Sequence, residues 1–158
     1  MNPKNIEIER KFLINKVPGN WEGYKSVEIA QVYISVKPTI RLRKAGKNYF
    51  LTVKGSGSLS RQEFELSITK KEYDSLYLKK DEKSKPVKKT RYIIPIAGSK
   101  LKIELDEYHG ELSGLYTAEV EFESEEEARG FTPPDWFGTE VTGNPSYSNA
   151  ALSFNGLP

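Results

Sequence analysis

The chain has 158 residues, and its 24 basic and 22 acidic side chains leave a net charge of only +2. A protein that binds nucleic acid usually has a clear basic excess, so this balance argues against such a partner. The sequence has no cysteine, which excludes disulfides and thiolate chemistry, and its single histidine, His109, excludes a multi-histidine zinc site.

Strands dominate the predicted secondary structure, because apolar and polar residues alternate with a period of two along most of the chain. Turn signals such as Gly55-Ser56-Gly57-Ser58 and Ala97-Gly98-Ser99 separate the alternating segments. Eight candidate strands in short succession are compatible with a closed, antiparallel β-barrel of the meander type. The predicted strands cover residues 5–15, 27–36, 39–44, 49–54, 61–68, 90–96, 100–107 and 117–123.

Three short helices are predicted between and after the strands. Thr69 and Glu72 have the spacing of a capping box at the start of the first helix, and Ser124 and Glu127 open the second. The third is predicted over residues 146–154. The lysine-rich segment of residues 79–89 is interpreted as a solvated loop rather than a nucleic-acid-binding patch.

The sequence offers no sign of a membrane partner. No apolar run approaches the roughly 20 residues that span a bilayer. The residues from Met1 to Lys4 lack the apolar core of a signal peptide. We therefore expect a cytoplasmic protein that folds as a single domain over residues 1–158.

Charged residues repeat on one face of most predicted strands. Residues two apart in a strand project to the same side, so Glu7, Glu9 and Lys11 share a face. Like charges at such positions repel each other, and a face that served stability alone would dilute them. The later strands repeat the pattern with Arg41, Arg43, Lys54, Glu63, Glu65, Lys89, Arg91, Lys102, Glu104, Asp106, Glu119 and Glu121.

Two architectures fit this alternation, and the residue pattern alone leaves them almost equally favoured. A β-sandwich would leave the charged faces in solvent, whereas a barrel could gather them around one cavity. Desolvating such groups without partners costs several kcal/mol each, so the cavity would have to hold water, ions or a charged ligand. Arginine and lysine suit phosphate oxygens, and carboxylates without histidine or cysteine suit Mg²⁺ or Mn²⁺.

Several segments resemble the CYTH superfamily of triphosphate tunnel metalloenzymes, in the order of that family's strands. The segment of residues 6–13 is similar to the E-x-E-x-K signature, which is weak on its own. The resemblance covers essentially the whole chain, at the length of the compact bacterial members. Further matching segments are Gln31-x-Tyr33, Arg41-Leu42-Arg43, Lys54-Gly55, Arg61-x-Glu63-x-Glu65, Lys89-Thr90-Arg91-Tyr92, Glu104-x-Asp106, Glu119-Val120-Glu121 and Glu140-Val141-Thr142.

The resemblance implies a mainly β fold, an eight-stranded antiparallel tunnel with a few outer helices. It also implies an activity that splits inorganic tripolyphosphate into pyrophosphate and phosphate with Mg²⁺ or Mn²⁺. Lys89 and Tyr33 would then form a catalytic Lys–Tyr pair, while Glu63 and Glu65 would serve as a base or only as ion-pair partners. The implied triphosphate-binding residues are Lys11, Arg41, Arg43, Lys54, Arg91 and Lys102, and the implied metal ligands are Glu7, Glu9, Glu119 and Glu121, supported by Glu104 and Asp106.

One departure from the family lies near the C-terminus. Asn144 and Ser146 stand where the family often has an acidic and a basic residue, which puts substrate affinity or preference in doubt. Thiamine triphosphatase, nucleoside triphosphatase and class IV-type adenylyl cyclase activities remain alternatives, although nothing in the sequence marks an adenine or thiamine pocket. A non-catalytic polyphosphate-binding module is disfavoured, because polyanion binding does not need the acidic set. Monomer and homodimer both remain open.

Overall fold

The computed structural model describes residues 5–158, and eight antiparallel strands within that range close into a barrel. Residues 1–4, considered above for a signal peptide, lie outside the described residues. The closed barrel confirms the predicted architecture and excludes the sandwich. The strands are β1 (Ile6–Leu13), β2 (Lys25–Val36), β3 (Thr39–Ala45), β4 (Asn48–Lys54), β5 (Ser60–Ile68), β6 (Val87–Pro95), β7 (Lys102–Tyr108) and β8 (Tyr116–Glu121).

The strand order around the barrel is β1-β5-β4-β3-β2-β6-β7-β8. Short connections join most sequence neighbours, and β1 closes the barrel by pairing with β5 on one side and β8 on the other. The register places Arg41 opposite Tyr33 on β2 and opposite Thr52 on β4. Cross-strand neighbours project to the same side, so the charged faces of adjacent strands meet inside the barrel.

Three helices lie outside the barrel: α1 (Lys70–Tyr77), α2 (Glu125–Gly130) and α3 (Asn149–Asn155). The capping box at the start of α1 is formed as predicted, with reciprocal hydrogen bonds between Thr69 and Glu72. Ser124 caps α2 through the backbone N–H of Glu127. The third predicted helix is a 3₁₀ turn at Pro145–Tyr147 followed by α3. None of these described helices has the length and apolar composition needed to cross a membrane.

Most apolar side chains of the strands face outward and form the core beneath α1 and α2, whereas Val87 and Tyr108 share the inward parity of Lys89 and pack with Leu152 of α3. One cluster contains Phe12, Leu105 and Val120 and packs against α2 and the segment that follows it. A second cluster joins Leu42 to Tyr73 of α1. Burying the outward apolar face in this way leaves the inward face free for charged residues, which is the arrangement that positions the site.

Lysines at the end of the predicted lysine-rich loop are part of the barrel, which corrects that prediction. Strand β6 begins at Val87, and the Lys89 side chain is 0% exposed. The loop assignment failed because the lysine composition suggested solvent, whereas the strand pairing of Lys89 with Tyr108 carries the residue into the barrel wall.

Arg10 interrupts the apolar outer face of β1, and the structure supplies the reason. Its guanidinium donates to both carboxylate oxygens of Glu140, at 2.7 and 2.9 Å, and to the backbone oxygens of Ala128 and Phe131, each at 2.9 Å. The chain around Glu140 runs beside β1, where the Val141 N–H donates to the Lys11 oxygen at 2.8 Å. Arg10 therefore fastens α2 and the C-terminal segment to the barrel.

Candidate active site inside the barrel

A cavity of about 1070 Å³ occupies the barrel and opens where the β2–β3 and β4–β5 connections meet the C-terminal segment. All but three of the predicted site residues line it. Lys89 and Asp106 are buried in the wall, and Lys102 lies on a second cavity of about 710 Å³ near the β6–β7 hairpin. Glu104 and Glu121 line both cavities. The two cavities open at opposite ends of the barrel, because the β2–β3 and β4–β5 connections lie at one end and the β6–β7 hairpin lies at the other.

The charges inside the barrel are divided into two arcs. The adjacent strands β7, β8, β1 and β5 contribute most of the inward carboxylates, and we call these strands the acidic arc. The adjacent strands β4, β3, β2 and β6 contribute most of the inward cations, and we call them the basic arc. Lys11 and Arg61 are exceptions, because they lie on the acidic arc. A polyanion placed against the basic arc would face carboxylates across the cavity.

Two guanidinium groups of the basic arc, those of Arg41 and Arg43, are incompletely partnered. Arg41 bonds Thr52 at 3.2 Å and lies 3.5 Å from Glu65, yet its buried Nε has no hydrogen-bond partner among the described residues. Arg43 donates to Gln31 at 2.8 Å. Burial, with the nearby charges of Arg41 and Arg91, lowers the pKa of Arg43 to about 10. Buried cations in such surroundings are stabilised when an anion binds.

The acidic arc holds more carboxylates than its cations can balance. Burial, reinforced by the charges of Glu119 and Glu7, raises the pKa of Glu9 well above its usual range. Burial also opposes ionisation of Glu119, yet Lys11, with other nearby cations, outweighs it and holds the pKa of Glu119 well below its usual range. Glu9 and Glu119 share a hydrogen bond, and Glu9 is the carboxyl of the pair that is protonated more easily.

This donor set fits a hard divalent cation, because carboxylate oxygens are its preferred ligands and its charge would relieve the repulsion. Within residues 5–158, however, no three acidic or histidine side chains already stand in a metal-binding arrangement. Glu7 instead accepts hydrogen bonds from Lys54 at 3.0 and 3.2 Å, and Arg61 lies 3.4 Å away. Cation binding would have to compete with these ion pairs.

A buried ion-pair cluster joins β6 to β7, and its Arg91 lines the cavity. Arg91 makes a bidentate contact with Asp106 at 2.7 and 2.8 Å, and Lys89 lies 2.8 Å from the same carboxylate. Burial lowers the pKa of Lys89 to about 7, although the charge of Asp106 opposes the shift. Burial therefore weakens the hold of Lys89 on its proton, while the ion pair with Asp106 strengthens it.

The structure does not bring the predicted Lys–Tyr pair into contact. The Lys89 ammonium donates to Asn149 at 3.4 Å and lies 5.3 Å from the ring centre of Tyr108. The Tyr33 hydroxyl lines the cavity and accepts a hydrogen bond from Gln31 at 3.3 Å. Tyr108 is the aromatic neighbour of Lys89, and its hydroxyl donates to Asn149 at 2.9 Å.

The C-terminal segment, where Asn144 and Ser146 were expected to affect substrate binding, also contributes contacts of Tyr147 and Asn149 that the sequence did not predict. The Lys11 ammonium donates to the backbone oxygen of Tyr147 at 2.7 Å, and Asn149 reaches Lys89 and Tyr108. Asn144 caps the intervening turn by accepting from the Ser146 N–H at 3.1 Å. The polar residues between Asn144 and Asn149 could have indicated a role in the site. They do not alternate with the period of a strand, however, so no face could be assigned to them from the sequence.

Comparison with known proteins identifies the family. The CYTH domain model matches residues 5–135. The chain is 41% identical to an inorganic triphosphatase of Nitrosomonas europaea, over 94% of this chain and 97% of that protein. It is 34% identical to an inorganic triphosphatase of Acetivibrio thermocellus, over 94% of each chain. A crystal structure of the inorganic triphosphatase NE1496 superposes with a TM-score of 0.68 at 37% identity, covering 96% of this chain and 97% of the other. The chain belongs to the CYTH domain family.

Proposed function

We propose that this chain is an inorganic triphosphatase, a hydrolase that splits tripolyphosphate into pyrophosphate and phosphate inside the barrel. The observation that carries the proposal is the basic arc, which lines one side of the cavity and holds two incompletely partnered guanidinium groups: Arg41, whose Nε has no partner among the described residues, and Arg43, which bonds only the neutral Gln31. The two relatives of 41% and 34% identity that are named inorganic triphosphatases support it.

The triphosphate would lie along the basic arc. Arg41 offers a buried Nε without a partner, Arg43 adds a second guanidinium on the same strand, and Lys54 adds an ammonium from β4. Guanidinium groups bind phosphate oxygens through paired hydrogen bonds, so the arc fixes the chain of phosphates as well as neutralising it. Positioning and charge neutralisation supply most of the catalysis in phosphoryl transfer.

The acidic arc would hold Mg²⁺ or Mn²⁺. Glu7, Glu9, Glu119 and Glu121 line the cavity opposite the basic arc, with Glu104 beside them. When bound, the cation supplies positive charge that offsets the negative charge developing on the departing pyrophosphate. The charge of the cation would lower the pKa of Glu9, because it opposes the repulsion from Glu119 and Glu7.

Glu63 and Glu65 are proposed as positioning residues rather than bases. Glu63 lies 3.1 Å from Lys54, and Glu65 accepts from Thr52 at 3.1 Å and lies 3.5 Å from Arg41. A carboxylate engaged in this way orients the cation that binds substrate. Tyr33, which lines the cavity, is proposed to act on the attacking water or the leaving oxygen, whereas the buried Lys89 is proposed to act through Asp106, which holds Arg91 in the cavity.

A phosphate-release screen over tripolyphosphate, ATP and thiamine triphosphate, with Mg²⁺ and with Mn²⁺, tests the proposal. We expect tripolyphosphate to be the preferred substrate. Arg41→Met should lower kcat/KM by roughly 10²-fold or more, because it removes a charged phosphate contact. Lys47→Met is the matched control, since Lys47 is exposed in the β3–β4 turn outside the cavity. Preference for either organic triphosphate would refute the inorganic assignment, and binding without turnover would favour the non-catalytic module.

A further inference from the structure

Asn149, the first residue of α3, lies between the buried wall of the barrel and the open cavity. Its side chain bonds Lys89 on β6 and Tyr108 on β7, and the residue also lines the cavity. Lys89 and Tyr108 are buried, whereas Asn149 is only partly buried. The Asn149 side chain therefore meets the wall and remains accessible from the cavity.

The two wall contacts determine which way the Asn149 amide is turned. An ammonium group can only donate a hydrogen bond, and that of Lys89 lies 3.4 Å from the Asn149 Oδ1. The Tyr108 hydroxyl donates to the same oxygen at 2.9 Å and accepts from Thr117 at 3.4 Å. Burial raises the pKa of Tyr108 well above its usual range, so this hydroxyl keeps its proton and remains a donor. The amide oxygen therefore faces the wall.

The amide nitrogen, Nδ2, is then the polar atom of the Asn149 side chain that is left for the cavity. It carries two N–H donors. Neither is engaged by another residue within the described range of 5–158. An amide whose oxygen is held by two donors is also fixed in orientation, so little rotamer freedom would be lost when Nδ2 binds a ligand.

Neighbouring polar side chains of the C-terminal segment are held differently. The Thr142 hydroxyl donates to Glu140 and accepts from a backbone N–H of β1, and the Ser148 hydroxyl donates to a backbone oxygen while it caps α3. Asn144 is exposed, and its oxygen accepts only from a backbone N–H of its own turn. Asn149 thus combines free N–H donors with a direct attachment to the barrel wall.

We propose that the Nδ2 of Asn149 donates to a phosphate oxygen of the triphosphate and is an uncharged substrate-binding group. The inference rests on the proposed function, because it takes the triphosphate as the ligand of this cavity. Every cavity-lining residue between Val141 and Ala150 is uncharged, so this side of the cavity offers no cation to the substrate. An amide donor supplies a contact there without adding positive charge beside Lys89, whose pKa the nearby Arg91 already lowers.

Asn149→Asp separates this role from a purely structural one. Aspartate keeps an oxygen for Lys89 and Tyr108, but it replaces the N–H donors with a carboxylate oxygen that repels phosphate. We expect its Kd for tripolyphosphate, measured by calorimetry in chelator, and its KM with Mg²⁺ to rise by roughly a hundredfold or more. Asn149→Ala, which loses the donor without adding a charge, should raise both by roughly tenfold. In both variants kcat should change much less, because the contact is made before and during the reaction.

A purely structural Asn149 gives the opposite order, because aspartate is the stronger acceptor for the Lys89 ammonium. Asn149→Asp would then bind tripolyphosphate better than Asn149→Ala, and that result overturns the inference. Asn155→Asp is the matched control, since Asn155 is exposed at the far end of α3 and does not line the cavity. It should bind like the wild type.

Circular dichroism establishes that each variant is folded. If Asn149→Asp does not fold, Asn149→Ala decides the matter, and an unchanged Kd and KM in that variant overturns the inference. Equal binding of tripolyphosphate by the wild type and Asn149→Asp overturns the inference alone and leaves the proposed function in place. A wild type that does not bind tripolyphosphate overturns the proposed function and this inference with it.

Discussion

Replacing Glu9 by glutamine separates the fold from the site. Glu9→Gln keeps the size of the side chain and part of its hydrogen bonding but removes the charge that we assign to metal binding. In the metal-free protein the same charge is unfavourable, because burial and the neighbouring Glu119 and Glu7 raise the pKa of Glu9. Activity and stability should therefore change in opposite directions.

The expected sizes follow from electrostatics. If Glu9 ionised beside Glu119, the two charges would repel by about 4 kcal/mol at about 4 Å and an effective dielectric constant near 20, so retaining the proton on Glu9 at neutral pH is the less costly alternative. Lys54 offsets part of this repulsion. We expect the metal-free variant to gain about 1–2 kcal/mol of folding free energy, or about 2–8 °C in Tm for a chain of this size. Turnover should fall by roughly 10²-fold, the scale for losing one preorganised electrostatic contact.

The pH dependence gives the stability change a specific sign. The folded pKa of Glu9 is raised above its unfolded value, so the folded protein retains a proton that the unfolded chain has released. The wild type therefore loses stability as pH rises from the unfolded pKa toward the folded pKa. The advantage of Glu9→Gln should be largest at neutral pH and disappear in acid, below the unfolded pKa.

Melting curves in chelator, at neutral and acidic pH, and steady-state phosphate release with metal measure the two effects. Glu126→Gln is the control, because Glu126 is exposed on α2 outside the barrel. Wild-type turnover in Glu9→Gln would remove Glu9 from the site. A variant less stable than the wild type at neutral pH would refute the repulsion argument.

Three further predictions concern the metal, the substrate and the C-terminal segment. Phosphate release from tripolyphosphate should stop in excess chelator and return with Mg²⁺ or Mn²⁺; full activity in chelator would contradict a metal requirement. Lys11→Met should raise KM for tripolyphosphate while leaving Mn²⁺ affinity, measured by calorimetry, nearly unchanged; a parallel loss of Mn²⁺ affinity would argue against a substrate-binding role. Arg10→Gln should lower the free energy of unfolding, measured in urea, by about 1–3 kcal/mol, because charged hydrogen bonds to Glu140 and two backbone oxygens are lost. Unchanged stability would mean that these contacts do not hold α2 and the C-terminal segment against the barrel.

The strand pattern identified most of the cavity lining, because the strand period of two assigns each residue to a face. Glu7, Arg41, Lys54, Glu65 and Arg91 were predicted to share one cavity, and they do. The same pattern also placed Lys102 on that face, but it stands at the strand end and faces the second cavity. The odd or even position of a residue in a strand predicts which side of the sheet its side chain faces. It does not predict how far along the barrel axis that side chain lies.

The contacts of Lys89 show a second limit of the sequence. Its neighbours Asp106, Tyr108 and Asn149 come from β7 and from α3, which are far apart along the chain. Composition suggested a solvated loop for this lysine-rich segment, whereas pairing with β7 carried Lys89 into the wall. The sequence around Lys89 cannot predict which distant residues will contact its buried ammonium group.

The sequence by itself determined the alternation of charged and apolar residues, the number of strands and the donor chemistry of the site. Those properties are local, since they depend on the strand period and on residue type. Only the tertiary structure decided that the charged faces point inward and that carboxylates and cations occupy opposite arcs. The barrel closes through pairings between strands that are distant in the sequence, because β1 pairs with both β5 and β8. These pairings place the strands that carry the carboxylates next to one another and thereby form the acidic arc.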